Sequence, residues 1–130
     1  MARSRVGRGV KAINLKREIK VKHLLVGYQG CRLPVSLNKS KDEAEELANE
    51  VYSRLVGGDS FVDLALQFSD DPSVNKNNGD LGWLSWGQTI PVFQRAAFSL
   101  DVEGVSPPIL TDFGYHIIYL EEEKKSHYFY

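Results

Sequence analysis

An α+β fold with a small, mostly antiparallel sheet is what this 130-residue sequence predicts. Three observations carry that reading. Apolar residues change period along the chain, from two to about 3.6 and back, as strands give way to helices. The resulting order is strand, helix, helix, loop, short strand, helix and hairpin, which lacks the regular alternation of a parallel βαβ fold. The composition, 42% hydrophobic and 25% charged, is that of an ordinary soluble protein, and a chain of this length fills one core without staples.

The elements follow in order. Residues 19–26 alternate Ile19, Val21, His23 and Leu25 against Lys20, Lys22, Leu24 and Val26, a strand with one strongly covered face. Residues 27–39 contain Gly27, Gly30, Pro34 and Asn38 and read as a long loop. Ser40 with Glu43 three residues on forms a capping box, after which Ala44, Leu47, Ala48, Val51 and Leu55 recur at helical spacing. Gly57 and Gly58 end that helix. Asp59 or Ser60 caps a second one with Phe61, Leu64, Ala65 and Phe68 inside. Residues 69–80 are rich in Asp, Asn, Ser, Pro and Gly and predict a loop. Residues 81–84 form a short strand. Thr89 caps a third helix with Pro91 early in it and Phe93, Ala96, Ala97 and Leu100 on its inner stripe. Residues 109–111 and 115–120 make a hairpin, whose second strand is the most apolar and therefore central.

Charge is unevenly spread although the net is −1. Arg3, Arg5, Arg8, Lys11, Lys16, Arg17 and Lys20 crowd the first 20 residues against Glu18 alone. The expected organisation is a basic, flexible N-terminal arm over 1–18, a folded domain over 19–121 and a polar tail over 122–130. The arm suits an anionic partner such as nucleic acid, a weak mitochondrial-type presequence, or a plain solvated terminus. It has no apolar stretch of a secretory signal. No apolar run approaches the roughly 20 residues of a membrane helix, and the single Cys31 leaves no internal disulfide. Location stays open: cytoplasmic if Met1 is the native start, periplasmic or extracytoplasmic if the domain is excised from a longer chain. A monomer is expected.

Two histidines sit in runs that otherwise read as buried strands, His23 among Val21, Leu24 and Leu25, and His116 before Ile117 and Ile118. A buried imidazole must satisfy its ring nitrogens internally. Two of them, near opposite ends of one domain, raise the prospect that they meet. Around them stand Phe68-Ser69-Asp70, Gly79-Asp80-Leu81-Gly82-Trp83, Gly87-Gln88, Pro91, Phe93, Ala96-Ala97-Phe98, Gly104, Ser106, Pro108, Thr111 and Gly114-Tyr115-His116. In order and spacing this set resembles the parvulin family of peptidyl-prolyl cis/trans isomerases, over about residues 21–120.

The resemblance implies a parvulin-like four-stranded antiparallel sheet surrounded by about four helices, and isomerisation of Xaa–Pro bonds in proline-containing polypeptides, with no cofactor and no metal. It places the paired histidines at His23 and His116, the family's cysteine or aspartate at Asp71, and the proline pocket at Leu81 and Phe93. Thr89 takes a pocket position usually held by methionine, which implies a weaker grip on the prolyl ring. Phe113 stands where some members carry serine or threonine. Of the positions that form a basic, phosphate-reading cluster in one branch, only Arg32 is basic here, so strong dependence on phosphorylation is not expected.

In this reading the histidines hydrogen-bond each other and shape the groove floor, while Asp71 stands beside the substrate carbonyl. Plainer readings exist for each residue. Leu81 and Phe93 taken alone look like core, Asp71-Pro72 is a common turn, and His23, His116, Asp71 and Cys31 match no usual metal-ligand spacing. A non-catalytic parvulin-like module that binds extended chains within a chaperone or secretion factor is the competing function, favoured by Thr89 and Phe113.

Overall fold

Strands β1 (Ile13–Val26) and β4 (Gly114–Phe129) pair antiparallel along their length, from Ile13 opposite Phe129 to Val26 opposite Tyr115. This computed structural model describes residues 13–129, with side chains for 16–125. Between the two strands in sequence lie α1 (Lys41–Val56), α2 (Phe61–Phe68), α3 (Val74–Asn77), β2 (Asp80–Ser85), α4 (Pro91–Phe98) and β3 (Ile109–Thr111). β2 pairs with β1 and β3 with β4, so the sheet order is β2-β1-β4-β3. The apolar hairpin strand is central, as its composition predicts.

Alternation along β1 and β4 divides the core between two faces. Leu24, Val26 and Ile117 meet α1 and α2, through Ala44, Ala48, Val51, Phe61 and Leu64. Ile19, Val21, Ile118 and Leu120 meet α4, through Phe93 and Ala97. The expectation of one strongly covered face is therefore too narrow: Leu24 and Val26 are fully buried as well. α2 has only eight residues, too few to persist alone. Burial of Phe61 and Leu64, at roughly 1.5–3 kcal/mol each, holds it instead.

The α1 capping box forms as the sequence dictates. Ser40 Oγ accepts from Glu43 N at 3.1 Å and Glu43 Oε1 accepts from Ser40 N at 2.8 Å. Ser60, rather than Asp59, caps α2.

Three boundaries differ from the sequence expectation. The strand expected over 19–26 begins at Ile13, and β4 continues to Phe129, so residues 13–18 and 122–129 are paired ribbon rather than arm and tail. Ion pairs cross it, Arg17 to Glu123 at 2.7 Å and Lys124 to Glu18 at 3.8 Å. The rest of the expected arm, residues 1–12, lies outside the described residues. The polar loop over 69–80 contains the single turn α3, pinned by Val74, its one buried apolar side chain. α4 is capped by Ile90, not Thr89. Pro91 forces the residue before it into extended backbone, and Ile90 obliges with ψ 148°, so the helix starts one residue later.

Gly79 ties the α3–β2 bend to the site. Its φ is +83°, its carbonyl accepts from His23 N at 2.8 Å, and a Cβ there would lie 2.6 Å from the His23 carbonyl oxygen. Only glycine fits so close an approach with that backbone.

Candidate active site

His23 on β1 and His116 on β4 are brought together by the strand register. His23 stands opposite Ile118 and His116 opposite Leu25, which makes the histidines diagonal neighbours on the α4 face. Their Nδ1 atoms are 3.4 Å apart, a long and therefore weak hydrogen bond, with the rings inclined at 28°. Both are buried.

Each outer ring nitrogen has its own partner. His23 Nε2 is 2.8 Å from Asp71 Oδ2, and His116 Nε2 is 2.7 Å from Thr111 Oγ1, which also accepts from Phe113 N at 3.1 Å. The result is a polar chain, Asp71–His23–His116–Thr111, closed at both ends. The carboxylate only accepts, so His23 Nε2 carries a proton. One consistent pattern then has His116 Nδ1–H donating to His23 Nδ1 and the Thr111 hydroxyl donating to His116 Nε2. Adding one proton to His23 Nδ1 reverses both of those bonds and leaves His116 neutral.

Electrostatics agree with a neutral His116. Burial pushes its pKa down to about 4, and the neighbouring His23 adds to the effect against a smaller opposing pull from Asp71. The hydrogen bond from His23 holds the Asp71 carboxyl well below the usual range, opposed by burial and reinforced by bonds from Ser73.

Above this chain lies a groove of about 220 Å³ lined by His23, Leu81, Thr89, Ile90, Phe93, Phe113 and His116. Phe93 stands nearly perpendicular to both imidazoles, at 5.5 Å from His116 and 6.2 Å from His23. The expected pocket residues Leu81, Thr89, Phe93 and Phe113 are thus brought together. Asp71 is not: it does not line the groove, and its carboxylate is engaged behind His23. Its Oδ1 also accepts from Ser73 N at 2.9 Å, so the plain turn reading holds for the other oxygen.

Thr111 and Ile90 are the site residues that sequence reasoning misses. Thr111 pairs with Gly114 across a tight turn, and Ile109 pairs with His116. Period two from Ile109 therefore puts Thr111 on the histidine face, a signal present in the hairpin itself. Ile90 falls between the expected cap, Thr89, and Pro91, and the proline fixes it as the cap. A larger cleft, about 500 Å³, lies on the opposite sheet face between Lys22, Phe61, Val105 and Tyr119, away from the histidines.

Comparison with known proteins agrees with this geometry. The family model for the PPIC-type PPIASE (rotamase) domain matches residues 23–122. A foldase protein PrsA of Halalkalibacterium halodurans is 46% identical over 85 residues, covering 65% of this chain and 26% of that protein. A chaperone SurA of Chromohalobacter salexigens is 37% identical over 108 residues, covering 83% and 23%. The chain thus spans about a quarter of the length of these two relatives. Among solved structures, peptidyl-prolyl isomerase ESS1 from Candida albicans superposes with a TM-score of 0.74 at 32% identity, over 81% of this chain and 63% of that one. The histidine pair, the groove and the four-stranded sheet therefore sit in a chain that belongs to the PpiC-type, or parvulin, family of peptidyl-prolyl cis/trans isomerases.

Proposed function

We propose that this domain rotates Xaa–Pro bonds in extended or unfolded polypeptide, without covalent chemistry and without strong dependence on phosphorylation. The observation that carries the proposal is the apolar groove of Leu81, Ile90, Phe93 and Phe113 set directly on a buried, mutually bonded histidine pair. The uncatalysed barrier is about 18–20 kcal/mol and breaks no bond. A 10³- to 10⁵-fold acceleration needs roughly 4–7 kcal/mol of stabilisation specific to the transition state.

The twisted amide has lost resonance, so its carbonyl is less polar and its nitrogen more pyramidal than in the planar ground state. An apolar groove therefore suits the twisted form better than water does. Phe93 and Leu81 grip the prolyl ring while the preceding carbonyl turns. The closed polar chain beneath them keeps the floor rigid and offers no unsatisfied group to trap the ground state. Thr89 makes one wall shorter and more polar, which supports modest rather than tight binding.

Phosphate recognition has little to work with. Arg32 is a lone, exposed arginine 3.7 Å from Asp112, and a single exposed pair of this kind is a weak anion trap.

Exchange NMR on Ala-Xaa-Pro peptides, with Xaa varied from leucine to glutamate and phosphoserine, tests the proposal. Catalysed cis/trans exchange is expected, with no gain for phosphoserine. Peptide binding without exchange would replace this reading with that of a non-catalytic polypeptide-binding module.

A further inference from the structure

We infer that Arg17 is a positioning residue for the groove: from β1 its guanidinium grips the C-terminal end of α4 and so fixes where Phe93, Thr89 and Ile90 stand over the histidine pair. The inference rests on the groove being the substrate site. Arg17 and its partner Glu123 both lie just outside residues 23–122, which the family model matches.

α4 is poorly held by its own sequence. It has eight residues, its N-cap Ile90 makes no side-chain bond, and its first turn carries no acid. A helix that short does not persist unaided. At its other end the carbonyls of Ala96, Ala97 and Phe98 each have a partner. Ala96 O accepts from Ser99 Oγ at 2.8 Å and Ala97 O from Leu100 N at 3.3 Å. Phe98 O accepts from Arg17 Nη1 at 2.6 Å, and Leu100 O from Arg17 Nη2 at 3.2 Å.

The third guanidinium nitrogen, Nε, donates to Glu123 Oε1 on β4 at 2.7 Å. The cation also lies 5.5 Å from the centre of the Phe98 ring, which in turn packs on Trp86 at 5.3 Å with the rings inclined at 74°. A positive charge at a helix C-terminus is favourable, and a planar fork with every nitrogen engaged fixes orientation as well as distance.

The connection to the groove is short. Arg17, Ile19, Val21 and His23 face the α4 side of β1, so one strand places the helix terminus, the underside of the helix and the groove floor. Ile19 and Val21 pack with Phe93 and Ala97. Buried Gln94 on α4 accepts from Gly87 N through its Oε1, which ties the loop carrying Thr89 and Ile90 to the same helix. A shift of α4 therefore moves Phe93 and the Thr89–Ile90 wall together over the histidine floor. The Arg17 and Glu123 side chains are each about one quarter exposed, and ion pairs at that exposure add little stability. The effect of Arg17 falls on geometry.

Peptide kinetics at a temperature well below the unfolding midpoint test this. Arg17→Gln is expected to raise KM roughly three- to tenfold with kcat changed less than about twofold, because binding geometry is lost while the histidine pair remains. Arg17→Lys, which keeps the charge but not the fork, should fall between. Lys20→Gln breaks the 3.9 Å Lys20–Glu122 pair between the same two strands, away from α4, and should leave both constants unchanged. A lowered midpoint with unchanged KM in Arg17→Gln, or an equal loss in Lys20→Gln, overturns the inference.

Should Arg17→Gln fail to fold, the wild-type protein decides. Saturating peptide should shift the Arg17 Nε–H resonance together with groove resonances, and a groove response without an Arg17 response overturns the inference. If wild type binds peptide without isomerising it, the proposed activity fails, and the same comparisons are read from Kd.

Discussion

The Asp71 carboxylate divides its oxygens between two tasks. Oδ1 closes a turn onto Ser73, while Oδ2 fixes the outer nitrogen of His23. From sequence the histidines are legible because an imidazole in an aliphatic strand is a misfit that needs a partner. That Asp71 is the partner is not legible, because the two residues are brought together only by the packing of the α2–α3 loop against β1. Asp70 N bonding to Leu25 O at 2.6 Å, and Leu25 N bonding to Ser69 Oγ at 3.1 Å, make that juxtaposition. His116 then carries a pH prediction. Its value falls from 6.5 in the free residue to about 4 in the fold, so the unfolded chain takes the proton first as pH drops. Its contribution to stability is complete above pH 6.5 and is lost progressively as pH falls towards 4, by up to about 3 kcal/mol. Urea unfolding of wild type and His116→Asn at pH 7.5, 6, 5 and 4.5 measures it. The difference between the two proteins should shrink by about 1 kcal/mol per pH unit between pH 6.5 and 4.5, and a constant difference refutes the assignment of a buried, neutral His116.

Local determinants make α1 readable in full, and their absence hides the ribbon. A capping box and a 3.6-residue apolar stripe specify α1 within its own 16 residues. Residues 16–18 and 122–125, in the outer parts of β1 and β4, are all charged and show no apolar period. Charge pairing marks their register instead, Arg17 with Glu123 and Lys124 with Glu18, between residues about a hundred positions apart. Pairing at such a distance leaves nothing for a local pattern to show. The α3–β2 bend sits between these extremes. Its glycines announce a turn, but not that Gly79 lies against the His23 backbone. Gly79→Ala should cost at least about 2 kcal/mol, combining a left-handed residue with a clash. Gly30→Ala isolates the first contribution, because Gly30 has φ +91° and no neighbour within 4 Å. Chemical denaturation of both variants should show the larger loss at Gly79, together with a displaced His23 ring resonance. Equal losses would mean that the close approach has no energetic consequence.

At the scale of the molecule, the order of elements predicts the α+β class correctly and the family resemblance supplies the sheet. The extent of the central pair comes only from the structure. Because β1 opposes β4 from Ile13–Phe129 inward, the two ends of the described chain leave the sheet side by side. That arrangement governs how the domain answers a pulling force. Tension applied through both ends loads the β1–β4 ladder one hydrogen bond at a time, like the slider of a zip. Tension applied between residues 13 and 114 would load the whole ladder in parallel, because those positions lie at opposite ends of the paired strands. Single-molecule extension with handles at 13 and 129 should therefore open the ribbon at a lower force than handles at 13 and 114, and equal forces would contradict the register. Drawn from its ends, the domain yields from the ribbon first, and the Arg17 grip on α4 is among the first side-chain interactions to go.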